Sequence, residues 1–301
     1  MPLNQPICPI CDSGDSKIIS NKVFDAPEAS IYQCQSCTII FQHPLMPPEE
    51  ESRFYESDFP GYMEGRAGTA SWKSPEAHFA RFARGEGIRR LKELSNYLRP
   101  DWDILEIGSS TGYFLELMRP YVRSVVGVEP GPDHAAYANQ RGIRTVSSVE
   151  ALDDDKQYNA IFIYYVLEHI REPIGFLESF KPLLKSEGKL FIEVPNVLDV
   201  LLSRYEIPQF GPFYWQRMHY YYYSPQTLTD LLSRAGYTSQ LIPLQRYDLS
   251  NHMVWLRDGR PGRMGRFKDI FSLELETAYA ETLKKHWLCD TILAIAQRPP
   301  T

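Results

Sequence analysis

The chain has 301 residues, a formal net charge of −6 and 43 % hydrophobic residues, enough for one large domain or a domain with an added module. The acidic balance argues against a nucleic-acid partner, which ordinarily demands a basic face. The longest apolar run, residues 160–167, is far too short to span a bilayer. The amino terminus lacks a basic-then-apolar pattern, so a cytoplasmic chain without membrane contact is expected.

Two CxxC pairs come first, Cys8/Cys11 and Cys34/Cys37, while Cys289 lies alone beside an apolar terminal segment. In a reducing compartment, paired CxxC elements read as a metal site and not as disulfides. Four thiolates suit one tetrahedral structural zinc at about 2.3 Å, with rubredoxin-like iron the rival. Residues 1–48 are therefore expected to form a zinc ribbon with strands over 17–20 and 31–33. So short a piece buries little core, and metal binding would supply its folding energy. Lys17 and Lys22 are outweighed by Asp12, Asp15, Asp25 and Glu28, which favours a structural or substrate-covering module over an RNA reader. Cys289 reads as a small buried apolar residue.

Residues 49–100 read as a linker with helices. A short helix is predicted over 49–55. The stretch to residue 72 holds Tyr55, Phe59, Tyr62, Met63 and Trp72, with Gly61, Gly65 and Gly68 arguing against a regular element. It reads either as a lid over a ligand or as a connector packed on the core. Ser74-Pro75-Glu76 is a helix start, and apolar spacing carries one or two helices to Pro100.

Residues 101–301 carry the main α/β pattern. Ile104, Leu105 and Ile107 read as a buried strand with Glu106 near its carboxyl end. The small-residue turn Gly108-Ser109-Ser110-Thr111-Gly112 follows, then a helix over 113–118. This succession lets a backbone approach a nucleotide-like ligand and offers it free N–H groups. The dinucleotide fingerprint is not met, because Ser110 and Tyr113 stand where its second and third glycines belong. Glu106-x-Gly108-x-x-x-Gly112 instead resembles motif I of the class I S-adenosylmethionine (SAM) methyltransferases, with Ser110 where that family often has glycine. A second strand over 125–128 ends in Glu129, about 20 residues after the turn, where a ribose-binding acid belongs. The resemblance implies a Rossmann-like seven-stranded sheet. It also implies SAM held by Glu106, Gly108, Ser109, Gly112, Tyr113, Phe114 and Glu129.

A helix over 133–140, closed by Gly142, leads to a third strand over 143–146. The resemblance then places Val149 against the adenine ring and Glu150 near its amino group, although Glu150 reads equally as a helix-start acid. The fourth strand, over 158–167, ends in Tyr164 and Tyr165, which would border the methyl donor. Val166-Leu167-Glu168-His169-Ile170 is similar to the family's post-strand motif, and His169 either faces the substrate or caps a helix. A helix over 174–184, a turn over 185–189 and a fifth strand over 190–194 follow.

Residues 198–223 interrupt the alternation with Phe210, Phe213, Tyr214, Trp215, His219 and the run Tyr220–Tyr223. Aromatic walls suit a sugar or planar ring and attract a sulfonium, so this insertion is expected to recognise substrate; burial for stability is the other reading. A capped helix over 226–235 is predicted next, then strands over 237–244 and 251–256. The basic loop over 257–268 is either solvated or phosphate-binding. A helix over 273–286 and a last strand over 290–296 complete the chain.

Together, the paired CxxC, Glu-x-Gly-x-x-x-Gly, Val-Leu-Glu-His-Ile and His-Tyr-x-Tyr-Tyr-Ser-Pro segments resemble the zinc-containing bacterial methyltransferases, among them the deoxysugar C-methyltransferases. Those sugar enzymes carry a Tyr-x-Glu-His segment whose histidine is the general base. Here His219 is retained, Gln216 replaces the tyrosine and Met218 the glutamate. The resemblance implies O- or C-methylation of a small molecule such as a sugar, nucleotide sugar or secondary metabolite. His219 is the expected base, His169 its reserve, and Tyr222 an orienting group. An RNA or protein methyltransferase guided by the zinc module would need a basic face over the cleft. A noncatalytic SAM-binding protein would have a closed one.

Overall fold

The computed structural model describes residues 5–67, 72, 74–153 and 155–299. Its strands are β1 (Ser16–Ser20), β2 (Ser30–Cys34), β3 (Ile40–His43), β4 (Asp103–Ile107), β5 (Ser124–Val128), β6 (Thr145–Val146), β7 (Tyr158–Tyr164), β8 (Leu184–Pro195), β9 (Tyr221–Tyr222), β10 (Thr238–Leu244) and β11 (Thr291–Gln297).

Seven strands form the main sheet in the order β10-β11-β8-β7-β4-β5-β6. Strands β4 to β8 run parallel, and β11 lies antiparallel between β8 and β10. The central strands are apolar on both faces because helices cover both, which is why they read as continuous hydrophobic runs. From β4 the chain first builds outward through β5 and β6, then returns to add β7 on the other side. The carboxyl end of β4 is therefore the switch point where such sheets gather ligands. The sheet is the Rossmann-like one expected, with the fourth strand shorter than predicted: it stops at Tyr164, and Tyr165 turns the chain out with φ 57°.

Three local expectations are corrected. Residues 48–67 are helical throughout, in α-turns at Pro48–Arg53 and Phe59–Ala67 joined by wider turns at Phe54–Asp58. Phe54, Tyr55, Phe59, Tyr62 and Met63 pack against the main core. That burial outweighs the cost of about 1 kcal/mol for each interior glycine. Gly61 and Gly65 face open space, and Gly68 lies outside the described residues. Residues 251–256 belong to a helix, Leu249–Asp258, and not to a strand. Asp248 caps it by accepting from Asn251 N at 2.8 Å. Ser250, Asn251, Val254 and Trp255 form the buried stripe, a spacing only a helix puts on one face. The turn predicted over 185–189 is absorbed into β8 as a bulge, with Tyr158 and Ala160 of β7 opposite Leu184 and Lys189.

The cysteine-bearing segment is not a free-standing unit. Its sheet has the order β1-β2-β3-β9, so the fourth strand comes from the aromatic insertion. Cys8, Cys34, Ile39 and Phe41 belong to the same buried cluster as Leu105, Ile107, Tyr221 and Tyr223. The expected lack of core is thus met partly by the main domain.

Candidate active site

The turn after β4 is held open by residues that tolerate unusual backbone. Gly108 and Gly112 have φ of +70° and +72°, and Ser110 joins them at 50°. A Cβ on Gly108 would come within 2.5 Å of Val166 Cγ2, so the segment after β7 runs directly alongside the turn. Gly127 on β5 makes room for Ser109, whose hydroxyl a Cβ there would strike. Glu129 accepts from Ser110 N and Gly131 N, both at 2.8 Å, and so braces the turn from its second strand. Burial pushes the Glu106 carboxyl up to about 8, with Arg90 opposing and Glu129 and Glu193 reinforcing. Glu106 Oε2 and Ser109 Oγ are buried with no hydrogen-bond partner among the described residues.

The helical run from Ser74 roofs this turn. His78 Nδ1 lies 3.2 Å from Thr111 Oγ1. Arg90 donates to Tyr113 OH at 2.6 Å and to Glu193 at 3.1 Å. Arg89 grips both oxygens of Glu193 at 2.9 and 2.8 Å and bonds Glu86. Glu86 in turn receives Arg246 at 3.0 Å. Nothing in the local sequence marks Arg89, Arg90 or Arg246, which reach this cluster from other parts of the chain.

The residues expected at the cofactor are not equivalent in placement. Glu106, Gly108, Ser109, Gly112, Tyr113 and Glu129 converge on the turn. Phe114 is wholly buried, its ring 5.7 Å from Phe162 and 5.6 Å from Tyr164, so it is a core residue beneath the turn. Tyr164 lies beneath the Arg90 guanidinium, 4.3 Å from the ring centre. Tyr165 OH is shared with Thr291 Oγ1 at 2.7 Å and receives Arg246 at 2.6 Å. Val149 packs against the main core. Glu150 is exposed, and its own N–H and Ser148 hold its carboxylate below the usual range, as for an acid at a helix start.

A second cluster forms beside the first. Glu168, His169 and His219 bring their ligating atoms within 4.8 Å of one another, although His219 lies far along the chain. The insertion is strapped to the segment after β7: Tyr220 N donates to Glu168 O at 2.8 Å, and Tyr221 OH to Arg171 O at 2.9 Å. These bonds set His219 against His169, with ring centres 4.8 Å apart. His169 Nδ1 lies 2.9 Å from Met218 O and 3.2 Å from Tyr55 OH. Because the carbonyl can only accept, Nδ1 carries the proton. Burial pushes His169 down to about 4 and His219 well below its usual value, so both rings are neutral. Burial likewise pushes Glu168 up to about 8, and among the described residues neither of its oxygens has a hydrogen-bond partner. Glu168 escaped the sequence reading as a site residue, although its place directly before His169 in the quoted motif was the available signal. Tyr222 accepts from Gln216 N at 2.8 Å and thereby closes the loop that carries His219.

The four cysteines also converge. Cys8 Sγ lies 3.6 Å from Cys37 Sγ, and Cys11 Sγ 3.5 Å from Cys34 Sγ. A tetrahedron with bonds of about 2.3 Å needs sulfurs roughly 3.8 Å apart, so the donor set fits one zinc. In the basic loop Arg257, Arg260 and Arg266 all face the single carboxylate of Asp258, so the loop keeps a net positive charge.

Residues 79–241 match the family described as a methyltransferase domain, which is more than half of the chain. The chain belongs to the class I SAM-dependent methyltransferases. The C-methyltransferase NovU of Streptomyces niveus is 28 % identical over 140 residues, covering 44 % of this chain and 32 % of that protein. The tRNA U34 carboxymethyltransferase of Pseudoalteromonas translucida (strain TAC 125) is 32 % identical over 105 residues, 30 % of this chain and 31 % of that protein. The matches thus span about a third of the length of these curated relatives. A SAM-dependent methyltransferase of Archaeoglobus fulgidus has the same fold, with a TM-score of 0.51 at 19 % identity, over 81 % of this chain and 100 % of that one. The site fits the family's cofactor: a glycine-opened turn, the unpartnered Glu106 and Ser109 atoms, and Glu129 on the second strand. Among the described residues no helix is long and apolar enough to cross a membrane.

Proposed function

We propose that this methyltransferase moves the activated methyl of SAM to an oxygen or carbon of a small-molecule acceptor, such as a sugar, nucleotide sugar or secondary metabolite. The observation that carries the reading is the buried Glu168–His169–His219 cluster on the segment that runs beside the Gly108 turn. A methyl donor held at the turn meets an acceptor lying against that cluster. Alignment of the two supplies many kcal/mol, and removal of the acceptor's proton a further factor of roughly 100 to 10,000. His219 is the group assigned to that proton, with His169 the reserve, and burial keeps both rings neutral. Tyr222 orients His219 by closing its loop. The four cysteines hold a structural zinc.

The tRNA-modifying relative brings an RNA acceptor to mind, but the net charge of −6 favours a small acceptor over a polyanion. Incubation with SAM and a panel of nucleotide sugars, read as a mass gain of one methyl, tests the acceptor class. His219→Ala is expected to abolish turnover while S-adenosylhomocysteine (SAH) still binds with parental affinity. Full activity in that variant would remove His219 from the reaction, and no calorimetric heat with SAH in the parent would overturn the function itself.

A further inference from the structure

We propose that Glu168, His169 and His219 form a second metal site, separate from the cysteines, for a divalent cation that prefers nitrogen and oxygen ligands and that holds the acceptor. The proposal rests on reading this cluster as the acceptor site.

The geometry asks for something between these side chains. Glu168 is 1 % exposed, and among the described residues neither carboxyl oxygen has a hydrogen-bond partner. Its Oε1 lies 4.0 Å from His169 Nε2, too far for a hydrogen bond. Neighbouring ligands of one ion with bonds of about 2.1 Å stand roughly 3.0 to 3.4 Å apart, so 4.0 Å is about 0.6 to 1 Å wider than a filled site. All three ligating atoms lie within 4.8 Å of one another. An inward shift of about 1 Å or less by each ligating atom brings every pair into that range.

His169 is already oriented as a ligand. Its Nδ1–H points at Met218 O at 2.9 Å, which fixes the ring and leaves the Nε2 lone pair facing Glu168. A backbone carbonyl on the far nitrogen is the usual outer support of a ligating histidine. Two imidazoles and a carboxylate suit manganese, iron, cobalt or zinc.

Three protein ligands, each giving one atom, leave three positions on a six-coordinate ion, two of them adjacent and open to an acceptor. An acceptor with two adjacent oxygens, a vicinal diol or catechol, fills them. Coordination lowers the hydroxyl's pKa and its proton leaves to water. The oxygen lone pair then attacks the methyl carbon as the carbon–sulfur bond breaks, which releases neutral SAH. Bound to the cation, His219 promotes loss of the acceptor's proton through the ion; in metal-free protein it takes that proton directly.

Cobalt(II) loading of the full chain, with elemental analysis and absorption spectroscopy, is the test. The parent should hold two equivalents: one with thiolate charge-transfer bands, one with only nitrogen and oxygen ligand-field bands. Glu168→Gln and His219→Asn should each weaken the second site at least tenfold and leave the thiolate bands and SAH heat unchanged. That SAH heat also reports that the variants fold. A single equivalent in the parent, carrying thiolate bands alone, overturns the proposal. So does unchanged stoichiometry in Glu168→Gln, or methyl transfer indifferent to removal of the second equivalent. Each of these leaves SAM-dependent transfer standing, whereas absence of SAH heat in the parent overturns that reading instead.

Discussion

Gly108→Ala tests how the turn after β4 is built. At φ +70°, alanine pays about 1–2 kcal/mol for left-handed backbone. Its methyl would also sit 2.5 Å from Val166 Cγ2, an overlap of the kind that costs about 1–3 kcal/mol. The sum is a destabilisation of about 2–5 kcal/mol, read by urea unfolding. Val166→Ala removes the obstacle but not the backbone strain. In a double-mutant cycle the two changes should be less than additive by the overlap alone, about 1–3 kcal/mol. Calorimetry with SAH follows the same cycle, since a displaced turn weakens the cofactor and the double variant recovers part of the loss. Strict additivity, or a single variant within about 0.5 kcal/mol of the parent, would refute the argument that Val166 and Gly108 share one tight contact.

Glu193→Gln leaves the buried Arg90 beside a neutral group, while the half-buried Arg89 keeps Glu86. A loss of about 3–5 kcal/mol is expected in urea unfolding, as when one partner of a buried ion pair is removed. Arg123, with Ser124 and Lys185, holds the Asp103 carboxyl well below the usual carboxylate range. A depressed carboxylate stabilises the fold above its unfolded pKa, near about 3.9, and the gain is lost as pH falls through the folded value. Asp103→Asn should therefore melt below the parent at pH 7, and the gap should close as the pH drops under about 4. Cys34→Ser should lose one equivalent of zinc in elemental analysis. Because β3 pairs with β9 through Phe41 and Tyr221, it should also change the near-ultraviolet circular dichroism of the aromatic insertion.

The motif-bearing strands and the glycine turn were legible because their signals are local. Ile104, Leu105 and Ile107 are apolar on both faces of one strand, and Gly108 and Gly112 mark where the backbone must turn left-handed within five residues. The cysteine pairs were legible for the same reason: spacing within each CxxC already matches what one tetrahedral ion requires. Helix over strand at Leu249–Asp258 was not, since a short apolar run suits either period until its neighbours choose the face. Glycines at 61 and 65 argued for a loop, yet the aromatic residues around them found a core to pack on.

By itself, then, the amino-acid order determined the sheet's central strands, the elbow that follows the first of them and the paired thiols, because each depends on contacts a few residues apart. Tertiary structure alone decided that β9 completes the cysteine-bearing sheet, that Arg90 reaches Glu193, and that His219 faces Glu168 and His169. Those meetings join distant stretches of chain. Their energy comes from removing side chains from water together, and no local pattern encodes which stretch will arrive.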